Sequence, residues 1–179
     1  MKNEVANADY LRKSVEPLDD AYRPALHMVC GKIAAGKSTL TAQLALAPKT
    51  LLISEDKWLA ALYPGELVSL ADYVRCTSRL RNVMQSHIES MLLAGVSVVL
   101  DFPANTSATR DWMKAIFMNA NAAHVLHYLD VSDAECKARL RRRNEDGVHQ
   151  FNTSDAEFDQ FTKYFVPPSE DEGFNIVRE

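Results

Sequence analysis

The chain has 179 residues, 47% apolar and 25% charged, a balance that excludes intrinsic disorder and allows one domain with a full core. Its net charge of −4 gives no global attraction to nucleic acid or anionic membranes, although a local basic groove stays open. Three cysteines, Cys30, Cys76 and Cys136, form neither a CxxC metal pair nor an even disulfide framework, which points to a reducing compartment. No apolar run approaches the roughly 18 residues of a membrane span. The opening MKNEVANADYLRKSVEPLDD carries acids and lacks the apolar stretch of a secretory signal, so the expected localisation is cytoplasmic.

Residues 1–22 read as a polar leader with room for one short helix. Residues 23–179 read as a single domain, with no repeat or Gly/Ser-rich linker dividing them. Ala25–Cys30 is a buried-strand candidate, followed by a glycine-bounded loop and a helix over Lys37–Leu46 that Pro48 stops. Thr50–Ser54 is a second strand, with a helix starting near Lys57. A long helix covers much of Ser69–Ala94, where Leu80, Met84, Ile88 and Met91 recur at helical spacing, and Gly95 suits its end. Ser97–Asp101 is a third strand. Ser107–Asn119 is a helix with Met113, Ile116, Phe117 and Ala120 on one side, and His124–Asp130 is a fourth strand. Ser132 and Glu135 are spaced as a capping box for the next helix. Ser154 opens a last one whose stripe of Phe158, Phe161 and Phe165 belongs in the core. Phe174–Val177 is a fifth strand.

Near-continuously apolar strands alternating with helices predict an α/β fold, a parallel sheet covered on both faces. Ligands of such sheets gather beyond the carboxyl ends of the strands. That rule assigns Gly31–Lys37, Ser54–Trp58, Asp101–Thr106 and Asp130–Ser132 to one site.

The first of these loops has a specific chemistry. Gly31-Lys32-Ile33-Ala34-Ala35-Gly36-Lys37-Ser38 satisfies G-x-x-x-x-G-K-[ST] between a strand and a helix. Glycines at 31 and 36 admit backbone angles and close approach that a side chain blocks. Successive N–H groups then form an anion nest at the positive end of the helix. The expected ligand is the phosphate tail of ATP, held by Gly31, Lys32, Ala34, Ala35, Gly36, Lys37, Ser38 and Thr39. Lys37 supplies a cation, and the Ser38 hydroxyl is a ligand for Mg²⁺.

Other residues gain meaning from this cradle. Asp56 follows the second strand, where a carboxylate can take or orient the proton of an attacking hydroxyl; its alternative role is an N-cap for the helix near Lys57. Glu55 is the weaker candidate. Asp101 ends an apolar strand, the position of a carboxylate that holds Mg²⁺ directly or through water. Asn105 and Arg110 follow within reach of an acceptor, with surface solvation as the other reading for Arg110. Lys137, Arg139, Arg141, Arg142 and Arg143 crowd the end of one helix. Arg139 and Arg143 share a face and suit a clamp on the transferred phosphate. The macrodipole or a nucleic-acid backbone would also favour such cations. Arg141 and Arg142 are expected in solvent. His27, His87, His124, His127 and His149 show no metal-ligand spacing, and His124 and His127 are expected on opposite strand faces or in solvent.

CGKIAAGKSTL, the Asp56 step in ISEDKW, VVLDFPAN, ARLRRRN and FDQFTKYFVPPSEDEGF together resemble the small P-loop kinase group. That group includes polynucleotide 5′-kinase, chloramphenicol phosphotransferase, zeta-toxin kinases and many kinases described as AAA-type ATP-binding domains. The resemblance runs from about His27 to Val177. It implies a three-layer sandwich with a five-stranded parallel sheet in the order 2-3-1-4-5, helices on both faces and an arginine-bearing lid. It further implies Asp56 as general base, Lys37 and Ser38 on MgATP, Arg139 and Arg143 as lid arginines, and Pro168–Gly173 beside the adenine. Residues 69–86 match no acceptor motif of the group, so the resemblance defines the donor half of a phosphotransfer. The expected activity is transfer of the γ-phosphate to a hydroxyl of an antibiotic, nucleotide-sugar or metabolite. A nucleic-acid 5′-end is less favoured by the acidic charge, and a nucleotide-dependent binding or regulatory ATPase module is the rival from another class.

Overall fold

The structure, a computed structural model, describes residues 23–146 and 153–179; the leader before Arg23 and His149 lie outside the described residues. Five parallel strands form the sheet: β1 (Ala25–Cys30), β2 (Thr50–Ser54), β3 (Ser97–Pro103), β4 (Ala123–Tyr128) and β5 (Ile176–Arg178). Their order is β2-β3-β1-β4-β5, as the resemblance implies. The most apolar segments take the middle, and Val98, Val99 and Leu100 of β3 are fully buried. The β1–β3 register shifts after Met28, so that Val29 pairs with Pro103. The connections leaving β1 and β3 run in opposite directions along the sheet, which makes the ends of these two strands the switch point where a crevice opens.

The helices are α1 (Lys37–Leu44), α2 (Glu55–Leu62), α3 (Leu70–Leu93), α4 (Ser107–Asn119), α5 (Asp133–Asp146) and α6 (Asp155–Thr162). Three differ from the sequence reading. α1 stops one turn-fraction early, because the Ala45 N–H already closes on Thr41 as a C-cap. α2 begins at Glu55 with Ser54 in the N-cap position, so Asp56 lies inside the first turn and is not its cap. α5 has half a capping box: the Glu135 N–H donates to Ser132 Oγ at 3.3 Å, but the Glu135 carboxylate turns to Arg139. α3 and α6 carry complete boxes, Ser69 with Asp72 and Ser154 with Glu157.

Leu80, Met84 and Ile88 of α3 and Met113, Ile116 and Phe117 of α4 enter one large core with the sheet. A smaller core of Ala35, Leu129, Cys136, Leu140 and Phe158 packs α5 and α6 against the glycine loop. Of the expected aromatic stripe, Phe158 is fully buried and Phe165 partly so, but Phe161 is 44% exposed. α6 is only two turns long, and Phe161, about 60° around the helix from Phe158, falls at the solvent edge of its narrow apolar face. His127 is buried rather than solvated: its Nε2 lies 3.2 Å from His27 Nδ1 and its Nδ1 2.6 Å from Glu179 Oε1. His124 stacks on Phe117 with ring centroids 3.9 Å apart. Among the described residues no helix is long and apolar enough to cross a membrane.

Candidate active site

The glycine loop is gripped from both sides. Asn105 Oδ1 accepts from the Gly31 N–H at 2.9 Å while Asn105 Nδ2 donates to the Gly31 carbonyl, also at 2.9 Å. A Cβ at Gly31 would fall 3.1 Å from the Leu129 Cβ and carbonyl oxygen and 3.2 Å from the Ala35 Cβ, so the backbone approach requires glycine. Gly36 sits at φ 108° just before α1, a conformation L side chains rarely adopt. Asn105 is thereby corrected from an acceptor contact to a fastener of the loop. An amide carries the matched donor and acceptor that can pair the main-chain N–H and C=O of one residue.

Lys37 Nζ donates to the carbonyls of Gly31 and Lys32, each at 2.7 Å. Burial pushes its pKa down to about 8, opposed chiefly by the Asp101 carboxylate and more weakly by Cys30, Cys136 and Asp56. Ser38 and Thr39 are exposed at the first turn of α1. Ser38 Oγ lies 3.4 Å from Asp101 Oδ1, and Asp101 stands in register with Ser54 across β2–β3. These are hard oxygen donors, one on β3 and one in the first turn of α1, a set that fits Mg²⁺. Among the described residues no group of three His, Cys, Asp or Glu forms a metal cage by itself. The Lys32 side chain leaves the loop, pairing with Asp133 and standing 5.8 Å over the Phe165 ring, so its main chain alone serves the nest.

α5 brings Arg139 to this loop and Arg143 within electrostatic reach of Asp56. Arg139 Nη1 donates to the Ala35 carbonyl at 3.0 Å while Nη2 pairs with Glu135. Arg143 Nε is buried and makes no hydrogen bond within the described residues. Burial lowers the Arg143 pKa and the Asp56 carboxylate opposes that shift. Asp56, exposed in the first turn of α2, thus acts electrostatically on Lys37 and Arg143 together. Arg141 pairs with Asp155 and Lys137 with Asp159, ties between α5 and α6, while Arg142 is exposed.

Two buried networks escape a linear reading. Glu55 is fully buried: Oε1 accepts from Arg81 Nε at 3.1 Å and Nη2 at 2.9 Å, and Oε2 from the Tyr73 hydroxyl at 2.9 Å. Burial raises its pKa against the pull of Arg81. Arg110 is likewise fully buried, which corrects both its acceptor and its solvated reading. Its Nε and Nη2 donate to the Glu172 carboxylate at 2.6 and 2.8 Å, and its Nη1 to the carbonyls of Ala104 at 2.9 Å and Val166 at 2.8 Å. The partner lies 62 residues away, beyond any local signal. The segment this pair holds lines a cleft of about 480 Å³ formed by Pro167, Pro168, Ser169, Glu170, Ile176 and Arg178.

A family model described as AAA domain matches residues 26–168. The fold is that of a candidate kinase from Chloroflexus aurantiacus (20% identity, TM-score 0.69), covering 89% of this chain and 86% of that one. It is also that of Chaetomium thermophilum Kti12 in complex with ADP-AlF3 (14% identity, TM-score 0.64, covering 87% and 88%). A gluconokinase from Sinorhizobium meliloti aligns at 18% identity and TM-score 0.56, covering 88% and 81%. A search of curated protein sequences gives no match. Because that family model spans the glycine loop, both strand-end acids and the arginines of α5, the chain belongs to the AAA domain family, with the fold of the small P-loop kinases.

Proposed function

We propose that the chain is an ATP-dependent phosphotransferase that moves the γ-phosphate onto a hydroxyl of a small-molecule acceptor. The observation that carries this reading is the placement of Asp56, an exposed carboxylate within electrostatic reach of both Lys37 and Arg143 at the mouth of the glycine loop. A carboxylate in that place can accept the proton of an acceptor hydroxyl. The loop amides and Lys37 hold the β- and γ-phosphates. Arg139, already on the Ala35 carbonyl, and Arg143 spread over the charge of the transferred group. Ser38 and Asp101 would hold Mg²⁺, which would supply neutralisation of the phosphate charge. Catalysis then consists of positioning and electrostatics, with no covalent intermediate on the protein.

The acceptor is an antibiotic, nucleotide-sugar or metabolite; a nucleic-acid 5′-end is disfavoured by the net charge of −4. The test is incubation with γ-labelled ATP and a panel of hydroxyl-bearing metabolites, antibiotics and oligonucleotides. Label is expected on a small hydroxyl compound. Label released only as free phosphate, whatever the acceptor offered, would instead support a nucleotide-dependent binding module.

A further inference from the structure

We propose that the cleft walled by residues 167–170, which adjoins the phosphate loop where Lys32 stands over the Phe165 ring, takes the nucleoside of the bound triphosphate, and that the buried Arg110–Glu172 pair is a positioning device that fixes this wall and so sets how much the base adds to binding. This inference rests on the nucleotide reading above. Three loops meet at the Arg110 guanidinium. One is the β3–α4 loop, through the Ala104 carbonyl; its next residue, Asn105, clamps both the N–H and the carbonyl of Gly31. A second is the stretch after α6, through the Val166 carbonyl, and Val166 also donates its own N–H to the Asn105 carbonyl at 2.9 Å. The third is the turn Glu170–Glu172 (a single 3₁₀ turn), through both oxygens of Glu172.

Glu172 passes the constraint on. Its Oε1 also accepts from the Ser169 N–H at 2.9 Å, and its carbonyl accepts from Lys114 Nζ at 2.8 Å. Residues 167–170 between these anchors supply four of the six cleft-lining side chains. An unbroken set of bonds therefore runs from the first glycine of the cradle to the cleft wall. Buried ion pairs are often replaceable by apolar side chains without loss of stability. What an apolar pair cannot reproduce is four directed bonds from one planar group, which fix the mutual register of three loops.

The experiment measures binding of ATP and of inorganic tripolyphosphate, each with magnesium, to the full chain. The unaltered chain is expected to prefer ATP, because only ATP reaches the cleft. Glu172→Gln keeps the side-chain shape and removes the charge; ATP affinity should fall about tenfold while tripolyphosphate affinity stays within about twofold. The double variant Arg110→Met with Glu172→Gln leaves no buried unpaired charge and should reproduce that loss without enlarging it. Equal losses for both ligands, or undiminished ATP affinity in either folded variant, would overturn the proposal. Equal affinity of the unaltered chain for the two ligands would overturn it too, with the phosphate cradle still standing. Binding of neither ligand would bring down the nucleotide reading itself, and the proposal with it.

Discussion

The donor and acceptor sides of the crevice are held by different chemistry. On the donor side the cradle is main chain: Gly31 is pinned by Asn105 and by the approach of Leu129, and Gly36 supplies the turn into α1. On the acceptor side the work falls to side chains, and adjacent residues diverge. Glu55 is sealed under Arg81 and Tyr73, whereas Asp56 is exposed and acts by its charge on Lys37 and Arg143. One step along a helix rotates a side chain by about 100°, enough to send one acid into the core and the next into the site. A backbone cradle demands fixed residues at fixed spacing. A side-chain site demands only that the right helix turn face the right way, and many sequences satisfy that.

The contrast is broken most severely at residues 55 and 56. Asp56→Asn is expected to lower phosphoryl transfer by about 10²–10⁴-fold while ATP affinity stays within about threefold and stability within about 0.5 kcal/mol. Initial rates with labelled ATP, binding isotherms and urea unfolding measure the three quantities, and unchanged transfer would remove Asp56 from the reaction. Glu55→Gln should behave the opposite way. It leaves the Arg81 guanidinium, itself only 22% exposed, without its counter-charge, at a cost of about 3 kcal/mol in unfolding free energy. Were Glu55→Gln to abolish transfer in a fully stable protein, the two acids would have to exchange roles.

This division also explains what a linear reading captures. The loop, the strands and the place of Asp101 were legible because each is written in contiguous residues: glycines at a set interval, apolar runs, an acid closing one such run; the strand order came only with the family resemblance. Asn105 was visible as a residue near the site but not as the clasp of Gly31, 74 positions away. Arg110 read as an acceptor contact or a surface cation, since nothing near it in sequence announces Glu172. The burial of Glu55 rather than Asp56 depends on where α3 delivers Arg81, 26 residues on. Such facts belong to tertiary packing. The start of α2 was misjudged by two residues for a smaller reason: Ser54 ends β2 and stands in the N-cap position at once, leaving no loop between strand and helix.

A third variant probes the donor side. Asn105→Ala strips Gly31 of two hydrogen bonds without touching any group that meets the nucleotide, and ATP affinity should fall about tenfold, the equivalent of one or two such bonds. Tripolyphosphate should lose as much as ATP, because Asn105 steadies the cradle itself. That parallel loss is the mirror of the selective loss expected at Glu172, so the two measurements together separate cradle from cleft. A loss confined to ATP would move Asn105 to the nucleoside side.

The smallest effect is a pH dependence, and it runs in opposite directions for binding and for stability. Lys37 has a pKa lowered from its ordinary 10.5 to about 8 by burial. Phosphate binding requires the charged form, so affinity should decline as pH rises through 8, by about fourfold between pH 7 and 8.5 for one group. Over the same range nucleotide binding should take up protons, measurable as a buffer-dependent binding heat. Without nucleotide the sign reverses. Between pH 8 and 10.5 the unfolded chain still holds the Lys37 proton that the folded chain has released, so this group makes stability rise with pH. Charging Lys37 is therefore a cost the folded chain bears below pH 8, and a bound polyanion offsets it. Lys37→Met should abolish both trends and weaken ATP binding. Survival of the affinity decline in that variant would assign it to another group at the site.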